Sequence, residues 1–231
     1  MVNKKILVVD DESKIVEIVS SYLKQKDYDV IKAYTGKEAI ALFERDEPDL
    51  IILDLMLPDI TGEEICSHIR KKSHIPIIML TAKVEEKDLL NGYYLGIDDY
   101  IKKPFSPREL IVRVDAILKR ASHSPVPLLK KIHFDNDDLV IDTEKQEVRK
   151  AGKIINFTVS EYRILITLVS HPGRIFTRDE LVTFSLGNDF DGYDRIIDTF
   201  IKTIRKKIET DNKKNNYIGT VYGVGYKFIG E

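Results

Sequence analysis

The sequence predicts a doubly wound α/β domain with a five-stranded parallel sheet, followed by a smaller α+β domain. Three observations carry this. Strand-length apolar runs alternate with amphipathic helical segments through the first half. A Ser- and Pro-rich stretch then breaks the pattern. Beyond it come short strands, three helical segments and a terminal hairpin, in that order.

The five runs of the first half are "KILVVD", "DVIKAY", "LIILDL", "PIIMLT" and "DDYIKK". They are nearly continuously apolar, as parallel strands covered on both faces should be. Between them, Ile15, Ile18, Val19, Tyr22 and Leu23 mark one face of Lys14–Lys24, and Ile111, Val114, Ile117 and Leu118 mark one face of Arg108–Arg120. Right-handed crossovers turn this alternation into a doubly wound sheet, whose ligands bind beyond the carboxyl ends of the strands. The segment "ASHSPVPLLK" keeps no helical or strand period, and Pro125 and Pro127 stiffen it as a linker. The expected division is residues 1–121, a linker over 122–130, and a second domain over 131–231.

In the second half, "IHFDN", "LVIDT", "QEVRK" and "KIINF" read as short antiparallel strands, with Ala151-Gly152 closing one hairpin. Thr158 and Glu161 have the spacing of a capping box, so a helix should follow to Val169 and stop at His171-Pro172-Gly173. A second helix starts near Thr177, with Asp179 and Glu180 in its first turn, where negative charge suits the helix dipole. A third runs from about Arg195 to Glu209. The chain then reads "YIGTVYGVGY", two β-rich arms around Tyr222-Gly223-Val224-Gly225, a hairpin that needs something to pack on or touch. A small antiparallel sheet, three helices and a terminal hairpin together describe a winged helix.

Hydrophobic residues make up 43% and charged residues 32% of the 231, which suits a folded chain rather than a disordered one. The single cysteine, Cys66, excludes an internal disulfide. The apolar run of "MVNKKILVVDDE" is too short for a signal-peptide core, and no apolar stretch approaches the ~20 residues that span a bilayer, so no membrane partner and a cytoplasmic location are expected. Net charge is −2 for the whole chain. Arg195–Lys214, however, holds 7 basic and 3 acidic residues, a local positive footprint.

Asp10 and Asp11 follow "ILVV", and Asp54 follows "LIIL". If those strands are neighbours, three carboxylates converge at one sheet edge, where their repulsion calls for a cation. Mg²⁺ fits, since it takes one or two carboxylates and completes its octahedron with waters and phosphoryl oxygens. An aspartate beside such an ion can act as a nucleophile toward phosphorus. Lys103 and Thr81, at two further strand ends, can bring an ammonium and a hydroxyl to the same edge.

The stretches "VVDDE", "LDLMLPDITG", "LTA", "DDYIKKPF" and "ELIVRV" resemble a bacterial response-regulator receiver domain over residues 3–121. The resemblance implies a flavodoxin-like fold with Asp54 as phosphoacceptor. It implies Mg²⁺ held by Asp11, Asp54 and the Met56 carbonyl, with Asp10 acting through water. Lys103 would touch the phosphoryl group across a cis Lys103-Pro104 bond, and Thr81 and Tyr100 would be the switch pair. Lys87, Asp98, Asp99, Glu109, Arg113 and Arg120 would form ion pairs across a symmetric dimer. Ile97, where the family usually shows Ala, departs from the pattern near that face.

"FTVSEYRIL", "HPGRIFTRDEL", "IDTFIKTIRKKIE" and "GTVYGVGYKF" resemble the OmpR/PhoB type of winged-helix effector over residues 131–229. In the third helix Ile197, Phe200, Ile201, Ile204 and Ile208 form the apolar stripe. Arg195, Thr199, Lys202, Thr203, Arg205, Lys206 and Lys207 are the expected DNA-facing residues, with Tyr222 at the wing tip. The inter-helix loop, which in this family often meets RNA polymerase, reads "FSLGNDFDGYD" and lacks the usual Trp; the wing lacks both usual arginines. Taken together, the chain is similar to a DNA-binding transcriptional response regulator. A sensor histidine kinase would phosphorylate it on Asp54, and it would bind repeated promoter half-sites as a dimer. It would not be an enzyme beyond its own phosphotransfer and autodephosphorylation.

Overall fold

The computed structural model describes residues 3–82, 95–122, 131–187, 195–209 and 216–230. The chain divides into two compact units, Met1–Lys119 and Arg120–Glu231. The linker expected over 122–130 falls almost wholly outside the described residues.

In the first unit the five apolar runs form the strands β1 (Lys5–Val9), β2 (Asp29–Ala33), β3 (Leu50–Asp54), β4 (Ile77–Thr81) and β5 (Asp99–Lys102). They pair in parallel in the order β2-β1-β3-β4-β5. Helices α1 (Ser13–Lys24), α2 (Gly36–Asp46), α3 (Gly62–Arg70) and α4 (Pro107–Ser122) connect and cover them.

Alternation along the strands sorts the core into two layers. Ile6, Val8, Leu50, Ile52, Ile78 and Leu80 pack with Val16, Val19 and Leu23 of α1 and Leu110, Val114 and Ile117 of α4. Leu7, Val9, Ile51, Leu53, Ile77 and Met79 face Phe43 of α2 and Ile65, Cys66 and Ile69 of α3. Because β1 is followed outward by β2 on one side and by β3 on the other, the strand order reverses between β1 and β3. Their carboxyl ends therefore flank the crevice where such sheets bind ligands.

The second unit opens with the meander β6 (Lys131–Phe134), β7 (Leu139–Asp142), β8 (Glu147–Lys150) and β9 (Lys153–Ile155), antiparallel in chain order. Helix α5 (Val159–Val169) starts at the expected capping box. Thr158 accepts from Glu161 N, and the Glu161 carboxylate accepts from Thr158 N at 2.9 Å. Helix α6 (Arg178–Leu181) has a second box, Thr177 with Glu180. It runs into a π turn, Val182–Leu186, which the sequence did not reveal. The Ser185 hydroxyl donates to Thr167 at 2.9 Å and the Ser185 carbonyl accepts from Arg163 at 2.8 Å, so tertiary bonds from α5 hold that turn.

Helix α7 (Ile196–Ile208) follows, then the hairpin β11 (Ile218–Val221) and β12 (Gly225–Phe228). A two-residue strand, β10 (Phe176–Thr177), pairs with β12 and makes the hairpin a three-stranded sheet. Gly225 permits that pairing: a Cβ there would lie 1.9 Å from the Phe176 carbonyl oxygen. Tyr217 is fully buried, its ring stacked 6.2 Å from Phe228 and its hydroxyl donating to Asp138 at 2.7 Å, so the hairpin base is anchored to the meander.

Candidate phosphoacceptor site and nucleic-acid face

At the crevice between β1 and β3, ligand oxygens of Asp10, Asp11 and Asp54 all lie within 4.8 Å of one another. Asp10 is fully buried and Asp54 is 4% exposed, whereas Asp11 faces solvent. Lys103, just beyond β5, sends its ammonium across the edge to Asp10 at 2.7 Å and Asp54 at 3.1 Å. Burial raises the Asp10 carboxyl above the usual range, against the hydrogen bonds from Lys103 and from Glu12 N and the Lys103 charge; the neighbouring Asp54 charge adds to the rise. Burial alone would lower Lys103, but the hydrogen bonds it donates to Asp10 and Asp54, and the charges of those carboxylates, outweigh it and leave the ammonium raised.

Three carboxylates around one ammonium leave excess negative charge in a crevice lined with oxygen donors. That donor set fits a hard divalent cation such as Mg²⁺.

The surrounding backbone fixes this geometry. Leu55 N donates to Leu80 O at 3.0 Å and Gly62 N to Leu55 O at 2.9 Å, folding the β3–α3 loop back over the strand end. Gly62 allows the close approach, since a Cβ there would sit 2.5 Å from the Asp54 carbonyl oxygen. Met56 lies in this loop, 65% exposed. Thr81 ends β4 with its side chain buried, and its carbonyl accepts from Lys103 N at 2.7 Å. The Lys103-Pro104 bond is cis, as the resemblance implies. Tyr100 is half-buried on β5, packed on the α2–α3 side of the core.

Of the residues expected at a dimer face, Asp98 is buried and paired within the chain. It accepts from the Arg70 guanidinium and from Ile77 N, both at 3.1 Å. Arg70 also donates to Gly96 O and Ile75 O, so it ties α3 to the β4 and β5 entrances, a role sequence reading did not find. Asp99 accepts from Arg113 at 3.2 Å, and Arg113 reaches Glu109 at 3.1 Å one turn back along α4. Arg120 lies in the last turns of α4, at the division between the units. Lys87 lies outside the described residues.

Helix α7 does not turn all of the residues expected to face DNA to one side. At about 100° per residue, positions 203 and 207 fall beside Ile196 and Phe200 on the edge of the buried stripe. Thr203 is accordingly buried, its hydroxyl donating to Phe200 O at 2.9 Å, and Lys207 pairs with the buried Glu161 of the capping box. Arg205, on the opposite flank, donates to Ile218 O at 2.7 Å and to the Thr220 hydroxyl at 2.8 Å. Lys202, Lys206 and Arg195 are exposed and Thr199 is partly so, and these four share the open face. Tyr222, at the wing tip, is 92% exposed.

A phosphoacceptor-type acidic edge on a doubly wound sheet, followed by a winged helix, defines a signal-receiving DNA-binding protein of two domains. A model of the response regulator receiver domain matches residues 6–115, and one of the transcriptional regulatory protein C-terminal domain matches residues 152–228. The chain is 44% identical over 231 residues to the alkaline phosphatase synthesis transcriptional regulatory protein PhoP of Bacillus subtilis (strain 168), covering 97% of this chain and 96% of that one.

Among solved structures, a mutant of RitR matches with a TM-score of 0.77 at 26% identity, covering 98% of this chain and 99% of that one. DrrB, a Thermotoga maritima OmpR/PhoB homologue, matches at 35% identity with a TM-score of 0.53, covering 99% and 100%. The chain belongs to the two-component response regulators of the OmpR/PhoB type, and it is a transcriptional response regulator rather than an enzyme acting on a separate substrate. Its receiver implies a histidine kinase partner and its winged helix implies DNA. Among the described residues, no helix is long and apolar enough to cross a membrane.

Proposed function

We propose that Asp54 accepts a phosphoryl group from a sensor histidine kinase, and that this drives dimerisation and promoter binding. The observation that carries the reading is the acidic edge, with Asp10, Asp11 and Asp54 within 4.8 Å and the Lys103 ammonium 3.1 Å from Asp54. An Asp54 carboxylate oxygen attacks phosphorus, the phosphorus–nitrogen bond of the donor phosphohistidine breaks, and the imidazole leaves with its electron pair. Asp11, Asp54 and the Met56 carbonyl would hold Mg²⁺, with Asp10 acting through water; when bound, the ion supplies positive charge against the phosphoryl oxygens.

Lys103 donates to the phosphoryl group. Thr81 and Tyr100 form the switch, the hydroxyl moving to a phosphoryl oxygen as the ring turns inward. Asp99, Arg113 and Glu109, with Lys87 and Arg120, supply charge to a symmetric dimer face, where ion pairs set specificity more than affinity. Arg195, Thr199, Lys202 and Lys206 meet the major groove. Arg205, Lys207 and Thr203 support that face from its flanks, and Tyr222 approaches the backbone or minor groove. The receiver occupies residues 1–121 and the effector 131–231, and the protein acts in the cytoplasm.

Titration of a promoter duplex with the full chain, with and without acetyl phosphate, tests this. Phosphodonor should tighten binding of the wild type and leave Asp54→Asn unchanged; equal affinities in all four cases would contradict the proposal.

A further inference from the structure

Asp198 stands on the flank of α7 that adjoins the wing, and its side chain is 43% exposed. An aspartate bordering a DNA-facing surface opposes binding, because it repels phosphates. Its surroundings give the reason for its presence. Its two carboxylate oxygens take a forked pair of bonds from Arg178, the first residue of α6, Nε at 2.7 Å and Nη2 at 3.2 Å. Oδ1 also accepts from the Tyr226 hydroxyl, on β12, at 2.7 Å. Two guanidiniums stand within cation–π reach of the Tyr226 ring, Arg178 at 5.6 Å and Arg205 at 5.7 Å from its centroid. Arg205 in turn holds Ile218 and Thr220 of β11. One carboxylate on α7 thus joins that helix to the start of α6 and to the wing.

We infer that Asp198 is a positioning residue for sequence-specific DNA binding. It sets the angle between α7 and the wing and holds the Arg178 guanidinium at their junction, without itself reading a base. This rests on the reading that α7 and the wing face DNA. Reading base edges requires side chains at fixed distances and angles, whereas attraction to phosphates does not. A clamp made of an anion should therefore raise specific affinity while lowering non-specific affinity. The Arg178 and Asp198 side chains are 31% and 43% exposed, and ion pairs in contact with solvent contribute little to folding, so loss of this one should leave the domain folded.

The test begins with selection of a duplex from a randomised pool by the wild-type full-length chain. Asp198→Asn and Tyr226→Phe are then titrated with the selected duplex and with a shuffled duplex of equal length, over a range of salt. Asp198→Asn should bind the selected duplex about tenfold more weakly, the scale of one lost directional base contact. It should bind the shuffled duplex as tightly as wild type or more so. Tyr226→Phe changes no charge and should move the ratio the same way by less. Parallel weakening on both duplexes, or no change on either, would overturn the inference. Should Asp198→Asn prove unfolded by thermal melting, the ratio for Tyr226→Phe decides the question. If the wild type enriches no duplex, the DNA-facing reading itself fails, and the clamp's role with it.

Discussion

At the residue scale, the chemistry of the receiver follows from where three short side chains are anchored. Asp10 and Asp54 end adjacent parallel strands, so their separation is fixed by the sheet rather than by their own rotamers. Lys103 reaches them from a third strand. These positions were legible because a carboxylate after a buried apolar run has one place to be, the strand's carboxyl end.

Cys66 shows the opposite case of a reactive side chain silenced by its surroundings. It is buried among the α3 core residues, and burial pushes its thiol up to about 11. It should therefore resist alkylation by iodoacetamide at pH 8 in the folded chain and react readily once the chain is unfolded in urea. The linkage sign follows. The folded state keeps its proton where the unfolded state begins to lose one, so this contribution to stability is complete below pH 9 and is lost as pH rises through about 11. Cys66→Ala should flatten the fall of the urea midpoint across that window; an unaltered fall would assign it to other groups.

At the element scale, the helix starts were readable and some helix faces were not. The capping box at Thr158 and Glu161 forms as its spacing requires, and both residues are buried, with Lys207 drawn onto the glutamate. Thr158→Ala should cost about 1–2 kcal/mol, read as a lower unfolding midpoint of the effector domain with the receiver transition unmoved.

Thr203 and Lys207 are expected to face DNA, yet helix geometry puts them at the rim of the buried stripe. Residue type misled where angular position decided. Asp98 misled in the same way, since nothing local in "GIDDY" announces that Arg70, 28 residues earlier, will meet it in the interior. The π turn over Val182–Leu186 depends on bonds to Thr167 and Arg163, which no local period encodes.

The wing itself depends on Gly225. Gly225→Ala should displace β12 from β10 and abolish DNA binding in gel-shift assays while leaving phosphorylation of the receiver intact. Retained DNA affinity would show that the β10–β12 pairing is not what places the wing.

At the scale of the whole molecule, the fold class was legible because two periodicities change at one Pro- and Ser-rich break. The strand–helix alternation before it and the short strands and helices after it correspond to two units with separate cores. The hairpin "YIGTVYGVGY" first stands out as a feature without a partner; its Tyr217 and Tyr226 turn inward as anchors and only Tyr222 is left at the tip. Such an organisation separates signal from response, with covalent chemistry confined to the receiver and sequence recognition to the effector. Phosphodonor should therefore raise the sedimentation coefficient of the full chain toward that of a dimer, and Asp54→Asn should remain at the value of the untreated protein.

The claim on which all of this turns is that Asp54 is the phosphoacceptor. Labelling with radioactive acetyl phosphate in the presence of Mg²⁺, followed by hydroxylamine treatment and peptide mapping, tests it most directly. The account predicts a hydroxylamine-labile label on the peptide bearing Asp54, absent after chelation and absent from Asp54→Asn. An equal label on Asp54→Asn, or a label that maps elsewhere, would contradict it.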